Sequence, residues 1–345
     1  MFDGIQVRVK PLAAVEAEHK VGIKNVISRG DHPLRAIVPP TSLPEPILHP
    51  DHEEIDREVI TYLVNTWEWP SEKTKKGFIS WNLSEVVLFM FPTGEKSRVK
   101  LACELLLLGF LMDDYFDNHT LIHNSQTVSR LQSLLSSPST FRPTTTIDTM
   151  HSTLFARFLS IPSSQPILET YLSMLLCHCD PARGTTSTLG SYLSFRETDV
   201  GMPICSELMY WTDPQLLSLT PKQRRALAPL ERIANYHVSI LNDCFSFERE
   251  WKAAREQEEG AVLVNGVVVL AGELGVGVGV ARTLCLDIVR GWEREFLGMV
   301  AGLREDGEFE GDDNDGGKLM ERAVKGIERR MSGAEAYSWR TKRYL

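Results

Sequence analysis

The tightest constraint on how this chain folds is an apolar run that stops in acid. It reads Leu105-Leu-Leu-Leu-Gly-Phe110-Leu-Met-Asp113-Asp114-Tyr-Phe-Asp117. Asp113 and Asp117 are four apart, so on a helix they share one face. Two carboxylates at the end of an apolar wall are costly unless a cation sits between them. Carboxylate oxygens suit hard divalent ions such as magnesium. A helix that merely runs out into solvent in a charged turn carries the same letters.

A second stretch separates those readings. In Asn242-Asp-Cys-Phe-Ser246-Phe-Glu-Arg249-Glu250, the residues Asn242, Ser246 and Glu250 recur every four positions. On a helix they stay on one side. Amide oxygen, hydroxyl and carboxylate make a magnesium site with few charges and room for water and phosphate. A polar stripe on a surface helix is the competing reading. Tyr236, Val238, Ile240, Leu241, Phe245 and Phe247 surround these positions, however, so the helix is apolar almost all round and expected to be buried.

Together the two stretches resemble the metal-binding motifs of class I terpene cyclases, more narrowly those of fungal sesquiterpene cyclases of the aristolochene synthase type. Trp67-Glu-Trp-Pro-Ser-Glu-Lys73, Phe91-Pro92, Tyr192-Leu-Ser-Phe-Arg196-Glu-Thr-Asp199-Val-Gly201 and Arg343-Tyr344 extend the resemblance over roughly residues 50 to 345 in the same order. It implies an all-α single-domain helical bundle around a central cavity. It also implies Mg2+-dependent ionisation of farnesyl diphosphate, with three ions (Mn2+ as a substitute), and cyclisation to a sesquiterpene. Asp113 is carried over as the principal ligand of two ions, with Asp117 or Asp114 joining it. Asn242, Ser246 and Glu250 are carried over as ligands of the third. Arg196, which precedes Asn242 by 46 positions, stands where the family places a diphosphate-sensing arginine, and Asp199 is expected to orient it. Arg249 stands where close relatives have lysine. Arg343 and Tyr344 match a C-terminal pair that closes over diphosphate.

The hydrocarbon part of such a substrate needs aromatic walls that stabilise passing cations without attacking them. Phe110, one turn before Asp113, matches a wall position. Met90 and Tyr337 depart from the aristolochene synthase pattern, which has tyrosine and tryptophan there. Fewer aromatic faces favour early proton loss, so the expected product leans slightly to a macrocycle of humulene or germacrene type over an aristolochene-like bicycle. Two other functions are weighed. A prenyl chain-elongating transferase on the same fold needs a second aspartate-rich motif where this chain has Asn242, Ser246 and Glu250. A catalytically inactive helical binding protein has no need of intact ligands in both motifs.

Composition narrows the partners. The 345 residues are 43% hydrophobic, enough for a sizeable core, and carry a net charge of −9 with no long basic run. That disfavours nucleic acid and anionic membrane surfaces. Residues 1–20 show no signal-peptide pattern. Of six cysteines, Cys103, Cys205, Cys244 and Cys285 sit in apolar helical patterns and read as reduced core residues of a cytoplasmic protein. Cys177-His178-Cys179 lacks a second pair at zinc-ligand spacing. The sequence is compatible with a homodimer.

In order along the chain, residues 1–48 are proline-rich and read as an irregular arm ahead of a helical domain over 49–345. Helices are expected from near Asp51, from Ser71 as N-cap, and at about 96–117, then a loop with a short helix over 118–145. Further helices are expected at about 147–161, 165–179, 187–211 with a break at Gly201 and Pro203, 222–228, 229–255, up to Gly272, 280–303 and 318–335. Tyr337 to Leu345 is expected to be a tail, and Glu305 to Gly317 a solvated acidic loop without the glutamate a calcium loop requires. Ala261 to Ala281 approaches a membrane span in apolar length, but Asn265, Glu273 and five glycines argue against insertion.

Overall fold

The computed structural model describes residue 34 and residues 37–256, 263–307 and 314–344. They form helices α1 (His52–Thr66), α2 (Glu72–Ser80), α3 (Ser84–Met90), α4 (Lys96–Phe116), α5 (Leu121–Ser136), α6 (Thr146–Leu159) and α7 (Gln165–Cys177). There follow α8 (Leu189–Asp199), α9 (Met202–Thr212), α10 (Pro221–Glu256), α11 (Gly266–Leu274), α12 (Val278–Glu305) and α13 (Asn314–Arg340), with short 3-10 turns at Pro214–Ser218 and Lys342–Tyr344. No strand occurs among the described residues.

Local chemistry accounts for the boundaries that matter. Ile55, Val59 and Leu63 form the buried stripe of α1. The Ser71 hydroxyl accepts from the Thr74 amide and starts α2. α4 buries Leu101, Cys103, Leu105, Leu107, Leu108 and Met112, residues that no single stripe can hold, so it is enclosed by neighbours. α10 is enclosed likewise, packed by α12 and α13. α13 also crosses α3, and Gly333 makes the approach feasible: a Cβ there would lie 2.7 Å from the Phe89 carbonyl group.

Several expectations need correction. Residues 118–145 hold a full 16-residue helix, not a short one. The two helices expected at 222–228 and 229–255 are one, with Pro229 inside it at an exposed position. The last helix runs on to Arg340, so Tyr337 is helical and not part of a tail. Its end is held by packing and by the Thr341 hydroxyl, which donates to the Trp81 carbonyl at 2.8 Å. The acidic segment is shorter than expected, with α12 ending at Glu305 and α13 starting at Asn314; residues 308–313 lie outside the described residues.

Of the N-terminal arm, most of residues 1–36 lies outside the described residues. Residues 37–50 are irregular and packed on the bundle: the Pro39 carbonyl accepts from Arg290 at 2.8 Å, and the Ser42 amide donates to Glu293 at 2.8 Å. No single described helix is long and apolar enough to cross a membrane; α11 and α12 meet at 111°.

Candidate active site

Helical spacing puts Leu106, Gly109, Phe110 and Asp113 of α4, with Asp117 capping its end, on one wall of a cavity of about 530 Å³. α10 contributes Val238, Leu241, Asn242, Ser246, Arg249 and Glu250 to the same cavity. Both motifs therefore meet at one apolar chamber, with Arg196, Asp199, Arg343 and Tyr344 also in its lining. A wider hollow of about 750 Å³ beside Leu121 and Ile122 is open and contains none of these residues.

The α4 acids crowd one another. Burial by itself raises the Asp113 carboxyl, but the charges of His178, Arg183 and Arg343 outweigh it and hold the group below the usual carboxylate range. His178 Nδ1 lies 3.4 Å from Asp113 Oδ1. Burial lowers the His178 pKa, and the charge of Asp113 opposes that shift. Asp117 is pushed up to about 7, first by burial and then by the charge of Asp113. Asp114 is raised by burial too, although Arg343 Nη2 stands 3.5 Å from its Oδ1.

Arg196 is clamped from two sides. Asp199 Oδ2 accepts from its Nη1 at 2.5 Å, and Asp243 Oδ1 accepts from Nε at 3.1 Å and from Nη2 at 2.9 Å. Asp199 is held at about 2: burial raises it, and Arg196 and then Arg183 overcome that. Asp243 is raised to about 6, chiefly by burial, even against Arg196. Immediately after Asp199 the chain breaks. Gly201 adopts φ +79°, a left-handed conformation that suits glycine, and any Cβ there would come 3.0 Å from Met174 Sδ. The break puts Val200 and Gly201 into the cavity lining.

On α10, Asn242 Oδ1 accepts from Arg196 Nη2 at 3.3 Å and Asn242 Nδ2 donates to the Tyr344 hydroxyl at 2.7 Å. Glu250 accepts from Asn265 Nδ2 at 2.8 Å. Ser246 Oγ is buried without a hydrogen-bond partner, as are Arg249 Nε and Arg343 Nη1. An orphaned hydroxyl between an amide oxygen and a carboxylate, facing crowded acids, fits a divalent cation with oxygen ligands. Arg343 is buried, with its guanidinium 4.6 Å from the Trp81 ring centre and 5.3 Å from that of Phe110.

All the residues nominated from sequence line the cavity: Phe110, Asp113, Asp117, Arg196, Asp199, Asn242, Ser246, Arg249, Glu250, Tyr337, Arg343 and Tyr344. Met90 lines it as well. Sequence reasoning missed His178, Arg183, Asp243 and Asn265 among the polar groups. It missed Trp81 and Tyr171 among the wall aromatics. Asp243 lies inside the second motif, one residue after Asn242, and its signal was that a charged residue interrupts an otherwise buried face. Trp81 and Tyr171 come from separate segments and carry no spacing signal.

The family model described as terpene synthase family 2, C-terminal metal binding, matches residues 104–295. A (+)-aristolochene synthase of Penicillium expansum is 30% identical over 310 residues, covering 88% of this chain and 90% of that protein. An aristolochene synthase of Aspergillus terreus is 29% identical over 316 residues, covering 90% and 95%. The crystal structure of aristolochene synthase from Penicillium roqueforti superposes with a TM-score of 0.72 at 26% identity, covering 88% of this chain and all of that one.

Proposed function

The chain belongs to terpene synthase family 2, a class I, divalent-metal-dependent lyase of the fungal sesquiterpene cyclase kind, and from that premise we propose that it ionises farnesyl diphosphate with three Mg2+ ions and cyclises the resulting cation. The observation that carries this reading is the convergence of Asp113 with Asn242, Ser246 and Glu250 on one apolar chamber.

When bound, the metal supplies Lewis acidity to the departing diphosphate. Asp113 and Asp117 on α4, and Asn242, Ser246 and Glu250 on α10, are the residues that would hold it. The chain's own cations take the remaining charge of the leaving group. Arg196, oriented by Asp199 and Asp243, presents a guanidinium whose position is set by two carboxylates. Arg249 and Arg343 each have an unpaired N–H in the lining, ready for a phosphoryl oxygen. Tyr344, from the turn at Lys342–Tyr344, brings its hydroxyl to Asn242 and so joins the tail to the metal helix.

Phe110, Tyr337, Trp81 and Tyr171 face that chamber. The macrocycle expectation counted Phe110 and Tyr337 alone. With Trp81 and Tyr171 in the wall, support for later cations is greater than that count allowed. The relatives at 29–30% identity are named aristolochene synthases. Both points favour an aristolochene-like bicycle over the macrocycle.

The test is incubation of pure protein with farnesyl diphosphate and Mg2+, with volatile products resolved by gas chromatography and mass spectrometry. One dominant bicyclic hydrocarbon, absent in chelator, is the expected result. Full activity in chelator, or no turnover of farnesyl diphosphate, overturns the reading. The six free cysteines fit a cytoplasmic enzyme. The sequence is compatible with a homodimer, and sedimentation velocity distinguishes it from a monomer.

A further inference from the structure

Arg183 lies on the connection between α7 and α8, outside both metal motifs and outside the basic positions that the family resemblance implies. Its Nε donates to Asp199 Oδ1 at 2.8 Å. Its Nη2 stands 3.8 Å from Asp113 Oδ1 and its Nη1 3.9 Å from Asp117 Oδ1. The side chain is 22% exposed, so much of its charge is screened by protein and not by water. One guanidinium thus spans two carboxylates of the aspartate-rich motif and the carboxylate that orients Arg196.

The contacts are unequal. The one to Asp199 is a directional, charge-assisted hydrogen bond. Those to Asp113 and Asp117 exceed hydrogen-bond length and act through charge alone. Arg183 is therefore anchored on Asp199, and its hold on the α4 acids can be released without breaking a hydrogen bond. Of the other basic groups close to Asp113, His178 Nδ1 lies 3.4 Å from Asp113 alone and Arg343 stands nearer Asp114. Arg183 is the cation placed between Asp113 and Asp117.

We propose that Arg183 is the resident counter-ion of the aspartate-rich motif, so that a divalent cation must compete with it for Asp113 and Asp117. This rests on reading those two acids as metal ligands. A unit charge about 4 Å from a carboxylate is worth roughly fivefold in binding even at the dielectric of water, and more in a less polar site. Arg183 consequently weakens the binding of metal alone. Diphosphate arriving with the metal brings negative charge that offsets this repulsion. Metal and diphosphate are thereby made to bind together, and the acids are kept from loading metal in the absence of substrate.

The test is titration of the protein with Mn2+, followed by electron paramagnetic resonance, with and without inorganic diphosphate. Arg183→Gln is expected to tighten binding of Mn2+ alone at least fivefold. Arg183→Lys, which keeps the charge, should stay within about twofold of wild type. Diphosphate should narrow the gap between wild type and Arg183→Gln. Arg183→Met is a second neutral variant, and melting curves establish that each variant is folded. Unchanged or weaker Mn2+ binding in the neutral variants overturns the proposal, as does equal tightening in Arg183→Lys. Asp113→Asn separates the two levels of inference. Mn2+ binding that survives Asp113→Asn refutes the metal-site reading itself. Binding lost in Asp113→Asn but indifferent to the neutral Arg183 variants refutes the counter-ion alone.

Discussion

Two buried charge networks flank α10, and they differ in what they leave unfinished. On the side away from the cavity, His237, Glu293 and Glu335 bring their ligand atoms within 4.8 Å of one another. Proximity alone would nominate this cluster as a metal centre. Arg290 stands among them, however, donating to Glu293, twice to Glu335 and once to the Pro39 carbonyl. Glu293 also accepts from His237 and from the Ser42 amide, and these bonds overcome the effect of burial and hold its carboxyl below the usual range. Apart from the unpartnered His237 Nδ1, the network is satisfied, and it ties the described part of the N-terminal arm to α12 and α13.

The cavity-side network has the same ingredients and the opposite outcome. Burial first, and the charge of the neighbouring Asp113 after it, push Asp117 up to about 7. Ser246 Oγ, Arg249 Nε and Arg343 Nη1 face the chamber unpaired. Buried charge is therefore not what distinguishes a site from a strut. Like charges left crowded, next to orphaned polar atoms in a cavity, are what distinguish it.

The largest effect that can break this contrast is on turnover. Asp113→Asn and, separately, Glu250→Gln should lower kcat by roughly a hundredfold or more, since Lewis-acid help is worth several kcal/mol. Melting temperatures should barely move. Near-normal rates in either variant would remove the functional half of the comparison.

The opposite pattern is expected behind α10. Glu293→Gln leaves Arg290 with one of its buried partners neutralised, and should destabilise the fold by about 3–5 kcal/mol in denaturant titrations. Turnover per folded molecule should stay within about threefold. A folded but inactive Glu293→Gln enzyme would mean the second network serves the chemistry after all.

Deleting residues 343–345 removes Arg343 from Asp114 and Tyr344 from Asn242. KM should rise and kcat fall together, each by roughly tenfold, as expected when closure and chemistry share a contact. Unchanged kinetics would reduce the tail to a packing element.

A smaller effect concerns pH. A carboxyl whose folded pKa is raised binds a proton in the native state that the unfolded chain has already lost. Stability from Asp117 is therefore present below its unfolded pKa of about 3.9 and is lost as pH rises through about 7. Asp117 is half-exposed, so water screens part of this effect, and metal-free protein should melt only about a degree or two lower at pH 8 than at pH 6. Asp117→Asn should flatten that slope in part, Asp114 and Asp243 being raised as well. Glu293 has the opposite sign, contributing stability above its unfolded pKa that is lost as pH falls through its lowered folded value.

The smallest expected effect is on product ratio. Met90→Tyr and Tyr337→Trp each alter one aromatic face, worth about 0.5–2 kcal/mol. They should shift flux between bicyclic and macrocyclic hydrocarbons without changing total turnover much. A wild type that releases mainly macrocycle would restore the original expectation and show that Trp81 and Tyr171 do not stabilise late cations.

Much of the frame was legible because it is local. Stripe spacing placed α1, the Ser71 hydroxyl placed the start of α2, and Gly201 with Pro203 placed the break between α8 and α9. The misjudged boundaries depend on surroundings. Pro229 stays inside a helix at an exposed position, and α13 reaches Arg340 because Thr341 and Tyr337 find the Trp81 carbonyl. Sequence has no term for either until neighbours are in place.

The same division holds at the site. Residue type and spacing were enough to nominate Asp113 and Asp117, Asn242, Ser246 and Glu250, because one helix carries each set and a helix enforces its own period. Only the tertiary structure brings Arg183 from a connecting loop, and Trp81 and Tyr171 from unrelated segments, to one chamber, and sets Asp243 from within a motif against Arg196. Charge balance and cavity shape depend on distances between elements, and those are set by packing across the whole bundle and not by any interval along the chain.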